Sequence, residues 1–277
     1  MSAPVITIIN VMSLPFSGGT WLNLMLGAGE DAFSIGEYRD VIYKGQGYAE
    51  CVTHDTGCEV WPKVDVNDES ADVFLQLAEV TGKKVLVVNG SRKTFEWQRH
   101  QRIRPVVLYL QRDMRALVAS ALRKNVHGGF MKTLRSYAHE EVRMRKIIKR
   151  SGFEPVSVLS YEKLKADTAG ELQRVSQELG VAFDEGQLSY WEKDHCYIGG
   201  NRGTLLNMLV QQDKQGEHIL KKHQQSGDIK WDFSTYSKKQ DLACLTDERW
   251  RKELSQWQKF VIDMTLLPFS QLMRLGI

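Results

Sequence analysis

Several short stretches of this 277-residue chain carry groups suited to gripping an anion. The first is Ser17-Gly18-Gly19-Thr20. It follows an apolar, β-branched run, Val5 to Val11, and precedes Trp21-Leu22-Asn23-Leu24-Met25-Leu26, which starts a helix. A strand, a glycine turn and a helix N-terminus bring backbone N–H groups together where the helix dipole is positive. Glycine lets the backbone approach a phosphate with no Cβ in the way. The common nucleotide loop, G-x-x-x-x-G-K-S/T, adds a lysine for the outer phosphates, and no lysine follows Gly18 or Gly19. Taken alone, the stretch is equally an anion cradle and an ordinary strand-to-helix turn.

The second stretch is Arg112-Asp113-Met114-Arg115-Ala116-Leu117-Val118-Ala119-Ser120, with Arg123 beyond it. A guanidinium fork donates two parallel charge-assisted bonds to a phosphate monoester, and a serine hydroxyl two helical turns on adds a third. Asp113 is placed to cap the helix. A capped helix with surface arginines is the plainer reading. Cys51-x-x-His54 with Cys58 has the look of half a zinc site, but zinc takes four ligands and no second pair of the same kind occurs. Free thiols are therefore expected, since four cysteines in a chain of this length do not make a disulfide framework.

These residues need a scaffold, and the apolar runs supply it. Val5 to Val11, Lys84 to Asn89, Pro105 to Leu110 and Val156 to Leu159 read as short, fully buried strands. Helices are expected from Trp21, over Ala71 to Val80, from Asp113 to about Lys124, over Met131 to Ser151 and over Ala169 to Leu179. A last helix is expected over Thr246 to Leu267, with Thr246 as its cap and Asp247 and Glu248 in its first turn. Residues 33–68 and 199–233 show no period and read as mainly loop, the second of them polar. Strands alternating with helices imply an α/β fold, a three-layer sandwich around a central parallel sheet. Ligands in such folds bind beyond the C-terminal strand ends, where the stretches above lie.

The chain is 42% hydrophobic and 26% charged, enough for a substantial core in a single domain over residues 1–277. Lys and Arg total 37 against 34 for Asp and Glu, too even a balance to point to nucleic acid. No apolar stretch reaches the length of a membrane span, and the N-terminus lacks the basic region and cleavage site of a secretion signal. A cytoplasmic protein with no membrane and no nucleic-acid partner is expected.

Taken in order, these segments resemble the PAPS-dependent sulfotransferases. That family holds the 5′-phosphosulfate of 3′-phosphoadenosine 5′-phosphosulfate (PAPS) with a loop like (R/K)SG(S/T)TWL, which Ser17-Gly18-Gly19-Thr20-Trp21 matches. It holds the 3′-phosphate with an arginine and a serine eight residues on, which Arg112 and Ser120 match within a stretch similar to RDPRAxxxS. Tyr161-Glu162-Lys163-Leu164 resembles the family's YExL, and His195 to Gly203 resembles its H-x-x-x-G-N segment. Gly36-Glu37-Tyr38-Arg39 is similar to the GE-x-R of the tyrosylprotein branch, and Asp247 to Leu254 to a D-x-x-W-x-x-x-L helix.

The resemblance implies a P-loop-NTPase-like sulfotransferase fold, PAPS as sulfuryl donor, PAP as product, a small-molecule acceptor and no metal. It implies that Ser17, Gly18, Gly19 and Thr20 hold the 5′-phosphate, that Trp21 stacks against the adenine, that Tyr161 lies near the nucleotide, and that Arg112 and Ser120 hold the 3′-phosphate. Gly200, Asn201, Arg202 and Gly203 would fold over the nucleotide. Glu37 is the first choice as general base, with His195 another, and Arg39, Arg92 or Lys93 would carry charge at the transferring group. That last need arises because Phe16 stands where the family has Arg or Lys. A small-molecule kinase and a PAP-binding protein without turnover are the competing readings.

Overall fold

The computed structural model of the chain describes residues 6–38, 51–66, 72–90, 95, 98, 100–212, 216, 219 and 248–272, the last six of these as backbone only. Five described strands form one parallel sheet. They are β1 (Ile6–Ser13), β2 (Ala32–Gly36), β3 (Val85–Asn89), β4 (Ile103–Gln111) and β5 (Val156–Ser160), in the order β2-β3-β1-β4-β5. β1 is central and pairs with β3 on one side and β4 on the other, Ile9 lying level with Val87 and Val106. Chain order reverses around β1, so its C-terminal end opens onto the crevice where such sheets bind ligands.

Side chains alternate across the pleat. Ile9, Val11, Val87, Leu108, Leu110 and Leu159 pack into one buried cluster with helices α1 (Gly19–Gly27), α5 (Tyr161–Ala166), α6 (Thr168–Leu179) and α7 (Arg202–Gln211). On the opposite face Ile8, Leu86 and Val88 meet Phe74 and Leu77 of α2 (Val73–Thr81). Met12, Val107 and Tyr109 meet Ile148 of α4 (Phe130–Ser151). Helices α3 (Met114–Arg123) and α4 pack with Leu254 and with Ile262 and Leu266 of α9 (Gln256–Leu272) in a further cluster. Helices thus cover both faces of the sheet, the expected three layers.

Three expectations change. Residues 33–36 open the stretch read as mainly loop, yet with Ala32 they form the edge strand β2. There α1 sits so close that a Cβ on Gly27 would fall 2.5 Å from the Ser34 nitrogen. Residues 202–211 form α7, in a stretch read as polar and irregular. Asn201 caps it by accepting from the Thr204 N–H, 3.1 Å away. The last helix is two pieces, α8 (Trp250–Glu253) and α9, with a break at Leu254-Ser255. Ser255 and Gln258 cap α9 reciprocally, Gln258 N–H to Ser255 Oγ at 3.2 Å and Ser255 N–H to Gln258 Oε1 at 2.9 Å. The proposed cap Thr246 and its neighbour Asp247 lie outside the described residues.

Candidate active site

The loop between β1 and α1 is held open by its glycines. Gly18 has φ 91° and no side chain caps the first turn of α1, which carries no acidic residue. Its backbone N–H groups therefore face a site with no built-in anion. A Cβ on Gly18 would fall 2.8 Å from the Tyr161 ring, and one on Gly19 would fall 2.6 Å from Ser13 Oγ. Nothing larger than glycine fits either position without displacing a neighbour. Ser17 is 1% exposed, and among the described residues its hydroxyl has no hydrogen-bond partner. An uncapped helix start, a cradle that a Cβ would fill and an unpartnered buried hydroxyl together fit a bound phosphate.

The arginine site is the other wall of the same cradle. Arg112, just beyond β4, donates from Nη1 to the Phe16 carbonyl at 2.7 Å. Its guanidinium carbon lies 4.4 Å over the Tyr161 ring, and Tyr161 meets Trp21 edge-on at 5.7 Å. Asp113 caps α3 by accepting from the Arg115 N–H, and the Asp113 N–H donates to Glu162 Oε1 at 2.8 Å. The Arg-Asp turn and the Tyr161-Glu162 turn thus brace each other. Ser120 is buried on α3, and Lys124 follows four residues later, on the same helical face. Arg123 does not join them. It forms a bidentate pair with Glu253 of α8, at 3.0 and 2.6 Å. Beside Arg112, a cleft is lined by Tyr161, Glu162, Lys165, Trp250 and Arg251.

Phe16 takes the left-handed conformation, φ 69°, and packs against the cluster that includes Leu14 and Leu117. The Lys124 ammonium lies 4.7 Å over its ring. Burial pulls the Lys124 pKa below the ordinary lysine value, and the positive charges of Arg123 and Arg249 pull it further. A cation held among cations is stabilised by an anion.

A strap closes the third side. Ile198 bridges to Gly36 in parallel, with Ile198 N–H to the Ile35 carbonyl at 3.0 Å and Glu37 N–H to the Ile198 carbonyl at 2.7 Å. The Asn201 N–H then donates to Thr20 Oγ1 at 2.9 Å. Gly200, φ 84°, passes so close that a Cβ would lie 3.2 Å from the Thr20 side chain and 2.6 Å from Tyr197. The Tyr197 hydroxyl accepts from Asn89 Nδ2 at 3.3 Å. Burial pushes the Tyr197 pKa up, and the nearby Glu37 charge pushes the same way, so the hydroxyl stays protonated. Arg202 keeps one guanidinium nitrogen buried without a hydrogen-bond partner. Gly203 is packed inside α7.

The fold therefore gathers Ser17 to Thr20, Arg112, Tyr161, Gly200 and Asn201 around one loop, with Glu37 at the end of β2 beside Tyr197. Two side chains are engaged otherwise than the sequence suggested. The Thr20 hydroxyl oxygen accepts from the Asn201 N–H. Trp21 is 7% exposed in the core, where its indole meets the Tyr161 ring edge-on. His195 is 3% exposed and its Nε2 lies 2.8 Å from the Tyr190 carbonyl, so its ring anchors the strap. Arg39, Arg92 and Lys93 lie outside the described residues. Sequence reasoning missed Lys124 and Tyr197. The spacing from Ser120 to Lys124 was a usable signal for the first.

No protein-family model and no curated protein matches the chain. Solved structures do. The sulfotransferase domain of the Synechococcus PCC 7002 olefin synthase superposes with a TM-score of 0.54 at 18% identity, over 70% of this chain and 80% of that one. The sulfotransferase domain from the curacin biosynthetic pathway is 15% identical over 86% of this chain and 96% of its own, with a TM-score of 0.49. Retinol dehydratase, in complex with androsterone and PAP, is 12% identical over 97% and 82%, with a TM-score of 0.41. On the first of these superpositions and on the parallel sheet with helices on both faces, the chain has the fold of the sulfotransferase domains.

Proposed function

We propose that the chain, as one domain, is a PAPS-dependent sulfotransferase acting on a hydroxyl or amine of a small-molecule acceptor. The observation that carries this reading is the convergence of Arg112, Tyr161 and the Gly200-Asn201 strap on the uncapped Ser17 to Thr20 loop. PAPS supplies an activated sulfuryl group whose bond to the 5′-phosphate oxygen breaks as a bond to the acceptor forms. The backbone N–H groups at Gly18 to Trp21 and the Ser17 hydroxyl bind the 5′-phosphate and steady the charge that gathers there as the bond breaks. Arg112, Ser120 and Lys124 bind the 3′-phosphate, and Arg202 adds its unpartnered nitrogen from the strap. Glu37 accepts the acceptor's proton. Catalysis is then positioning and electrostatics, as in phosphoryl transfer.

A second reading, PAP binding without turnover, is favoured by Phe16, whose ring faces the apolar cluster where the resembled loop has a cation. Two measurements separate the readings. Calorimetry should show PAP bound much more tightly than AMP, which lacks the 3′-phosphate. Arg112→Ala should weaken PAP by about 10- to 100-fold, the worth of a hydrogen bond to a charged group, and leave AMP nearly unchanged. Equal affinity for PAP and AMP would end the sulfotransferase reading. Radiolabelled PAPS offered with a panel of alcohols and amines should then give labelled product, whereas tight PAP binding with no product across the panel selects the second reading.

A further inference from the structure

The edge of the sheet holds a cluster that the proposed transfer does not use. Cys51, His54 and Cys58 lie on one irregular segment, and their ligand atoms all fall within 4.8 Å of one another. Cys51 Sγ is 3.2 Å from His54 Nδ1. The fold then brings in Cys196, from the start of the strap. Its backbone is tied to that segment, the Cys196 carbonyl accepting from Trp61 Nε1 at 2.6 Å. It also shares a 4.8 Å group with His54 and Asp194. Cys51 and Cys196 are each 7% exposed, and none of the three cysteines is in a disulfide. A thiol is a poor hydrogen-bond donor and acceptor, so three of them around one imidazole gain little from each other as thiols.

We propose that Cys51, Cys58, Cys196 and His54 bind a structural zinc ion in tetrahedral Cys3His coordination. Thiolate-rich tetrahedral sites select zinc, with Zn–S at about 2.3 Å and Zn–N at about 2.0–2.1 Å, so ligand atoms stand roughly 3.5–3.8 Å apart. The ligand atoms now fall in two sets that share His54, so binding must draw Cys196 in toward Cys51 and Cys58 to reach that. The imidazole is already oriented. His54 presents Nδ1 to the sulfurs while Nε2 lies 3.1 Å from both carboxylate oxygens of Asp194. Such a carboxylate fixes the tautomer and strengthens the ligand.

The fourth ligand is what sequence reasoning lacked, since Cys196 follows all five strands. Its neighbours are stitched to the same segment. Val52 N–H donates to the Tyr197 carbonyl at 2.8 Å, Trp61 Nε1 to the Cys196 carbonyl at 2.6 Å, and the Thr53 hydroxyl to the His195 carbonyl. Zinc here clips the 51–61 segment to the root of the strap that reaches Thr20.

The test is metal analysis of the purified full chain after expression with added zinc. About one zinc per chain should survive buffer exchange. Cobalt in its place should show tetrahedral ligand-field bands with thiolate charge transfer, and Cys58→Ser should lose both signals. That variant can fail to fold, so Asp194→Asn is measured beside it. It should keep the metal with about 10- to 100-fold weaker zinc affinity in chelator competition. Zinc far below stoichiometric, iron in its place, an octahedral cobalt spectrum, or a Cys51–Cys196 disulfide in the chain purified without oxidant would each overturn the site. None of these readings depends on nucleotide binding, so the zinc site and the sulfotransferase reading fail separately.

Discussion

Lys124 illustrates how one side chain reports on the site around it. Its ammonium rests over the Phe16 ring, half-buried, with Arg123 and Arg249 near enough to disfavour its charge. Burial and those two charges therefore hold the folded pKa below the ordinary lysine value. A bound 3′-phosphate reverses the balance by stabilising the protonated form. The sign follows from linkage. PAP binding takes up a proton in the window between the lowered pKa and that of the complex, and PAP affinity falls as pH rises through it. Calorimetric Kd values for PAP from about pH 7 to 10 should show this decline in the wild type, with a slope approaching one proton. In Lys124→Met the affinity should be lower at the neutral end and flat across the window. A decline unchanged in the variant would remove Lys124 from the phosphate site.

Among the elements, the contact between β4 and α4 is the most exposed to a single change. Glu141 is 1% exposed and accepts from the Tyr109 hydroxyl at 2.6 Å and from Arg145 one turn on at 3.1 Å. Arg145→Met keeps the stem and removes the charge, leaving a buried carboxylate with one neutral donor. Loss of one partner from a buried pair costs about 3–5 kcal/mol. Urea unfolding of Arg145→Met should show a drop near the low end of that range, because Arg145 is itself 16% exposed at the side chain. Glu141→Gln with Arg145→Met should recover part of it. A drop under about 1 kcal/mol would mean that Glu141 takes a proton instead.

The same elements show what could be read from sequence. β1, β3, β4 and β5 were legible because both faces are buried and their apolar runs are continuous. β2 was not, because Ala-Phe-Ser-Ile-Gly is short and mixed, and its place at the edge depends on close contact with α1. α7 was not, because it is buried nearly all round, from Gly203 to Leu209, and so shows no 3.6-residue period. The break before α9 was signalled by Ser255-x-x-Gln258, a capping box inside what looked like one helix. At the site, glycines and strand ends pointed to the loop and to Arg112. The hydrogen bond from Asn201 to Thr20 and the meeting of Cys196 with His54 are contacts between remote segments, which spacing along the chain does not encode.

At the scale of the whole molecule, the parallel sheet gathers its loops at one edge. The loop after β1, the turns after β4 and β5, and the strap that crosses β2 share Tyr161, Thr20 and Tyr197 as joints. A ligand that spans the loop and Arg112 should therefore quiet all of them at once, whereas one that touches only the loop should not. Hydrogen exchange separates the two cases, since it reads the local opening of each segment. With PAP bound, amides of Gly18 to Trp21, of Arg112 to Arg115 and of Asn201 to Thr204 should all exchange more slowly. With AMP at matched occupancy, the first group should slow, and the strap with it through the Asn201–Thr20 bond, while Arg112 to Arg115 should stay as in the free protein. Identical protection by PAP and AMP would mean that the guanidinium beyond β4 does not receive a 3′-phosphate. Protection at Arg112 without protection of the strap would mean that the strap moves independently of the nucleotide, and that the bond between Asn201 and Thr20 is a fixture of the fold alone.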